Sequence, residues 1–204
     1  MKPIRMYDSQ ISGNCYKVRL LMSHLGISVE RVEVSVAARE KRRELLGHMN
    51  PAAKIPVLEF EDESFMAESN AILWYLAQNT IYLSDDPFQQ ARVLGWMFFE
   101  QNNIEANIAT ARWWLTVKHV GEEYKEHLAF RYEAGHQALT TLEGHLAERE
   151  FLVDNRYSIA DISLYAYTHV APEGGCSLAE YPAVRTWIKR VQQQPGYVPM
   201  IEEA

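Results

Sequence analysis

The chain has 204 residues, 48% of them hydrophobic, and a formal net charge of −7 with no basic block. That supplies material for one large core or two smaller ones, and it argues against nucleic-acid binding, which needs clustered Lys and Arg to neutralise phosphate. The two cysteines, Cys15 and Cys176, form no C-x-x-C pair and no metal-type spacing, which excludes a disulfide scaffold and a zinc site and fits a reducing cytoplasm.

The N-terminal stretch MKPIRMYDSQ lacks the apolar core of a signal peptide, and no later run is long enough to span a bilayer, so no membrane partner is expected. Ile4, Met6 and the residues between them predict a short buried strand. A loop from Asp8 to Gly13 follows, then a helix from about Asn14 to Leu25 with Val18, Leu21, Met22 and Leu25 at helical spacing. Gly26 ends that helix. Residues 31–36 alternate with period two and predict a half-buried strand. The charged segment from Ala37 to His48 has helical composition, and its charge run reads first as a solvated face. Asn50-Pro51 marks a turn. Residues 55–60 form a strand with Pro56 at its start or on an edge. Glu61-Asp62-Glu63 connects it to Ser64–Ala67 as a hairpin, and with no Gly in the break the turn is expected to be loose. Glu68-Ser69-Asn70 opens an apolar helix whose first turn carries the acid and the hydroxyl.

The order to about Gln78 is β-α-β-α-β-β-α. Residues 79–87 read as a linker. Beyond it no strong strand pattern occurs. Ala91, Leu94 and Phe98 suit a long helix, and a second runs from about Glu122 to Leu146. Ser158-Ile159-Ala160-Asp161 has the capping-box form and opens an apolar helix. Val184, Trp187, Ile188 and Val191 space a further helix, ended by Pro195-Gly196.

Four stretches carry a resemblance: Ser12-Gly13-Asn14-Cys15 after the first strand, Asn50-Pro51 leading to Lys54-Ile55-Pro56-Val57-Leu58, Glu68-Ser69-Asn70-Ala71-Ile72, and Ser158–Asp161. Each is weak alone. In this order and spacing the whole chain resembles the cytosolic glutathione S-transferase superfamily, especially its bacterial members. The resemblance implies an α/β thioredoxin-like domain (residues 1–80) followed by an all-α domain (residues 88–204), a cis bond before Pro56, and a homodimer. It implies glutathione as co-substrate with no further cofactor or metal, and a small hydrophobic electrophile between the domains. Trp96, Phe98, Phe99, Arg112, Trp113 and Trp114 are candidates for that wall, although most such residues are helix packing.

A glutathione thiol has a pKa near that of free Cys, about 8.5, so an enzyme must favour its thiolate. By resemblance Ser12 is the hydroxyl that does so, although a serine there can equally cap the helix. Asn14 is a second donor to the sulfur. Cys15 is the rival, as the cysteine of a glutathione-dependent disulfide reductase; exposed at a helix start, its pKa would be depressed, and buried, it would fill space. Tyr7, near the end of the first strand, is a third candidate. Ile55 would pair its backbone with the cysteinyl part of glutathione. Glu68 would receive the γ-glutamyl ammonium, and Ser69 with the helix N–H groups the α-carboxylate. Lys41 and Lys54 could meet the glycine carboxylate. A non-catalytic binding or assembly module of the same fold is the remaining reading.

Overall fold

A computed structural model describes residues 1–201 of the chain. Its strands are β1 (Pro3–Asp8), β2 (Glu30–Glu33), β3 (Val57–Phe60) and β4 (Phe65–Ala67), in one sheet of order β2-β1-β3-β4. β1 pairs in parallel with β2 and antiparallel with β3, and β3 pairs antiparallel with β4. The crossover between the parallel strands is α1 (Gly13–His24); α2 (Arg39–Leu46) precedes β3, and α3 (Ser69–Leu76) follows β4. The order read from the sequence is the one found.

The pleat divides β1 between two faces. Met6 joins Cys15, Val18, Met22, Leu58, Phe60 and Ile72 on one side. Tyr7 joins Val34, Leu46 and Val57 on the other. β2 is shorter than the predicted strand, but the alternation persists in burial: Val34 is buried while Glu33 and Ser35 are exposed. In the hairpin Glu63 takes the left-handed conformation that a glycine would usually supply (φ 62°). Asp62 accepts the Ser64 N–H at 3.2 Å and its hydroxyl at 2.6 Å, which closes the loop without a glycine.

Met1–Gln78 form one compact unit together with the segment that begins at Pro195, and Asn79–Gln194 form the other. The C-terminal segment thus returns to the first unit. Four side chains of α1 hold it there by its carbonyls. Ser23 Oγ donates to Gly196 and His24 Nδ1 to Pro195, each at 2.8 Å. Tyr16 Oη donates to Val198 at 2.7 Å, and Arg19 Nη2 to Met200 at 2.8 Å.

The second unit is helical. Asp86 caps α4 (Pro87–Phe99), with proline in the first turn. The helix then widens into π turns over Glu100–Ala109, narrows through α5 (Thr110–Arg112), and widens again over Trp113–Val117. Side chains compete for the carbonyls along this run: Asn102, Asn103, Asn107 and Thr116 each donate to the carbonyl four residues earlier. α6 (Lys125–Leu146), α7 (Ile159–Thr168) and α8 (Pro182–Gln192) complete the unit, and the predicted capping box is formed in full at Ser158.

Asp161 does more than cap. Its carboxylate also accepts the Trp187 indole N–H at 2.9 Å and the Leu152 N–H at 3.1 Å, which ties α8 and the segment before α7 to one buried point. Burial pushes its carboxyl up from 3.8 to about 6 against the pull of those hydrogen bonds. A native pKa above the unfolded one means the stabilising contribution is complete below 3.8 and is lost as pH rises through about 6. Replacing Asp161 by Ala leaves two backbone donors and the indole without an acceptor, so unfolding free energy should fall by about 3–5 kcal/mol at about pH 4. Denaturant titration should also show the gap between the two proteins narrowing as pH rises through 6; a gap that widens would contradict the assignment.

Candidate active site

The site begins where β1 ends. Asp8 is buried and bound by two guanidinium groups, with Arg19 Nη1 at 2.6 Å from Oδ1 and Arg31 Nε at 2.8 Å from Oδ2. The loop then turns into α1. Ser12 N–H donates to the Ser9 carbonyl at 3.0 Å, and Ser12 Oγ accepts the Cys15 N–H at 3.3 Å. Ser12 is thus the helix cap. Because it caps as an acceptor, the hydroxyl keeps its own proton to donate. Ser12 is partly exposed, at the positive end of the helix dipole.

Cys15, expected among the glutathione-contacting residues, turns its side chain inward. Its side chain has 0% exposure and packs with Val18 and Met22, one and two helical turns further along α1. Burial, reinforced by the nearby Asp8 charge, drives its pKa up, and the Ser12 hydroxyl and Ser9 backbone offset only part of this. A helix start activates a thiol that projects from it into solvent; this one projects inward. Tyr7 has likewise committed its proton, donating to Glu59 Oε2 at 3.1 Å. Burial and that acceptor both raise its pKa.

Asn14 links the two helix starts through its amide oxygen, and the donor role expected of it belongs to its amide nitrogen. Its Oδ1 accepts the Ser69 hydroxyl at 3.1 Å, which joins the first turn of α1 to the first turn of α3. Ser69 is buried, while Glu68, just before it, is exposed with φ 69°. A non-glycine residue in this region is strained and persists only where its surroundings hold it. The strain turns the chain out of β4 so that α3 starts beside α1.

The Ile55-Pro56 bond is cis, as the resemblance implies. Since Val57 pairs with Ala67, Ile55-Pro56 and Glu68-Ser69 lie at the same end of the β3–β4 ladder. Two residues shape the approach to Pro56. Asn50 accepts the Ala52 N–H at 3.0 Å and donates to the Lys54 carbonyl at 2.9 Å. Arg42 Nε donates to the Ala53 carbonyl at 2.8 Å and Nη1 to that of Val36 at 2.6 Å. Sequence reasoning saw Asn50 as a turn marker and missed Arg42. Nothing in a run of charges separates one Arg clamping two loops from its solvated neighbours. Lys41 and Lys54 are exposed, and neither makes an ion pair among the described residues.

Ser12, Asn14, Ser69, Glu68 and Ile55 are thus brought to one end of the first unit. The result is two adjacent helix starts, an exposed acid, an available hydroxyl, and a strand start whose backbone is not covered by a neighbouring strand. Such an arrangement suits an extended, zwitterionic peptide. In the second unit Trp96 meets the Phe99 edge at 5.3 Å, Trp114 stacks on Tyr124 at 4.7 Å, and Phe98 is exposed. Arg112 Nε is bound by Glu173 at 2.6 Å.

A four-stranded mixed sheet with a cis proline at the start of β3, followed by a helical unit, defines a thioredoxin-like transferase fold. Residues 6–80 match the glutathione S-transferase N-terminal domain, and residues 107–195 match the glutathione S-transferase C-terminal domain. A solved glutathione S-transferase from Pseudomonas fluorescens is 42% identical, with a TM-score of 0.94, covering 97% of this chain and 98% of that one. The chain belongs to the glutathione S-transferase family. Among more distant relatives, elongation factor 1-gamma of Artemia salina is 28% identical over 83% of this chain, which spans only 40% of that protein's length. The disulfide-bond oxidoreductase YfcG of Escherichia coli is 25% identical over 90% of this chain and 87% of its own.

The burial of Cys15 has a direct consequence. Native protein treated with an alkylating reagent at neutral pH should carry no label on Cys15, and incubation with glutathione disulfide should leave no adduct there. Mass spectrometry after brief labelling checks this, with denatured protein as the positive control. Rapid native labelling of Cys15 would contradict the inward placement.

Proposed function

We propose that this chain is a glutathione transferase in which Ser12 stabilises the thiolate of bound glutathione for attack on a small hydrophobic electrophile. The observation that carries the reading is the partly exposed Ser12 hydroxyl at the start of α1, coupled through Asn14 and Ser69 to the start of α3, while the Cys15 thiol is turned away. The γ-glutamyl carboxylate is received by the N–H groups of α3 and by the Ser69 hydroxyl, which turns to it from Asn14, and its ammonium by Glu68. The cysteinyl backbone pairs with Ile55, which sets the sulfur in reach of Ser12. A donated hydrogen bond and the helix dipole then favour the thiolate, each pKa unit corresponding to about 1.4 kcal/mol. The sulfur lone pair forms the new C–S bond while the electrophile takes up the electron pair or loses a leaving group. Lys41 and Lys54 are free to screen the glycine carboxylate. Action as a cytoplasmic homodimer belongs to the same proposal.

A second reading is favoured by the likeness to the E. coli oxidoreductase: bound glutathione, rather than Cys15, attacks a disulfide. It uses the same thiolate site, so an assay offering an activated aryl halide and a mixed disulfide in parallel separates the two by relative rate.

Ser12→Ala should lower turnover on the order of tenfold to a hundredfold with glutathione affinity changed little, as expected for a group acting on the sulfur. Unchanged turnover would remove Ser12 from the mechanism. Glu68→Gln and Ser69→Ala should do the reverse, weakening glutathione binding by roughly tenfold or more with a smaller effect on turnover of the bound complex. Isothermal calorimetry and steady-state kinetics together measure both. No loss of affinity in either variant would dismantle the binding frame.

A further inference from the structure

We propose that Arg19 is a positioning residue for Ser12, joining the C-terminal segment to the loop that carries the serine; this rests on the reading of Ser12 as the thiolate-stabilising hydroxyl. Arg19 lies on α1, two turns beyond Ser12, with its side chain only 6% exposed and its partner Asp8 1%. Its guanidinium binds four oxygens from three places. Nη1 donates to Asp8 Oδ1 at 2.6 Å and to the Ser9 carbonyl at 3.2 Å. Nη2 donates to the Gln10 carbonyl at 3.0 Å and to the Met200 carbonyl at 2.8 Å.

Two of these acceptors are backbone oxygens of the loop, and the Ser9 carbonyl is also the acceptor for the Ser12 N–H. Fixing the Ser9 and Gln10 peptide planes fixes where the chain enters α1, and so where Ser12 Oγ sits. The fork geometry matters. A lysine presents a point charge and cannot span the Gln10 and Met200 carbonyls while holding Asp8 and Ser9. The charged groups meeting at this point are Arg19, Asp8 and Arg31, and Arg31 holds the second Asp8 oxygen from β2. The Arg19 guanidinium also lies 5.6 Å from the Tyr16 ring centroid, and the Tyr16 hydroxyl holds Val198 in the same C-terminal segment.

Arg19 touches none of the residues assigned to the γ-glutamyl end, so its loss should act on the sulfur and not on affinity. A displacement well under 1 Å of a catalytic group costs rate steeply, so Arg19→Lys should lower turnover on the order of tenfold with KM for glutathione within about twofold. The thiol pKa of bound glutathione, read from thiolate ultraviolet absorbance against pH, should rise toward the free value of about 8.5.

The decisive measurement is the cycle of Arg19→Lys, Ser12→Ala and the double variant. If Arg19 acts through Ser12, Arg19→Lys raises the thiol pKa in the parent and leaves it unmoved in the Ser12→Ala background. Equal shifts in both backgrounds, or none in either, overturn the proposal while leaving the Ser12 reading intact. A Ser12→Ala protein with an unshifted thiol pKa removes the Ser12 reading, and the present inference with it. Should Arg19→Lys not fold, Asp8→Asn keeps the side-chain shape and weakens the hold on Arg19. It should give a smaller shift of the same sign, again abolished in the Ser12→Ala background, and its failure to do so overturns the proposal equally.

Discussion

Asp8 and the two guanidinium groups that enclose it are the constraint from which the first unit is organised. A carboxylate nearly absent from the surface is costly to bury, and a single partner seldom repays that cost. Here both oxygens are taken, one by α1 and one by β2. Removing either element would strand a charge. The end of the central strand, the crossover helix and the neighbouring strand therefore stay in one arrangement. Such a cluster adds modest net stability compared with an apolar core, but it admits few alternative geometries. The Ser9–Ser12 loop inherits that definition, because its carbonyls are bound to the same group.

The second unit solves a related problem with a single carboxylate. Asp161 gathers donors from its own helix start, from the chain before it and from α8. Desolvation raises its pKa, and the hydrogen bonds limit the rise. The widened turns on either side of α5 show the opposite tendency. There polar side chains draw carbonyls out of regular pairing, and the helix continues because the competing bonds are themselves satisfied.

Most of the architecture was legible because its signals are local. Period-two alternation, Gly26 after α1, the Ser158–Asp161 box and the Pro56 strand start all act within a few residues. Glu68-Ser69 after a hairpin was legible for the same reason. The inward turn of Cys15 was also within reach, since it shares the helical face of Val18 and Met22. What could not be read is what only the folded chain brings together. Asn14 meets Ser69 from 55 residues away, and Arg19 meets Met200 from 181 residues away. Arg42 and Lys41 are alike as letters in a charged run, yet one clamps two loops and the other lies in solvent. Nor does proximity in the chain reveal that the carbonyls of the C-terminal segment are acceptors for side chains of α1.

The backbone at Glu68 sets two demands against each other in one residue. A left-handed conformation is free for glycine and costly for glutamate, roughly 1 kcal/mol or somewhat more. Glycine would relax the turn and delete the acid that precedes α3. Glutamate keeps the acid and leaves the strain in place, supported by β4 behind it and α3 ahead. Any search for a more thermostable version of this chain will therefore be drawn to position 68 early, by substitutions that look harmless in an unfolding assay. The same substitutions would remove the carboxylate on which the proposed glutathione site relies, so on that reading selection for endurance and selection for ligand capture pull this residue in opposite directions.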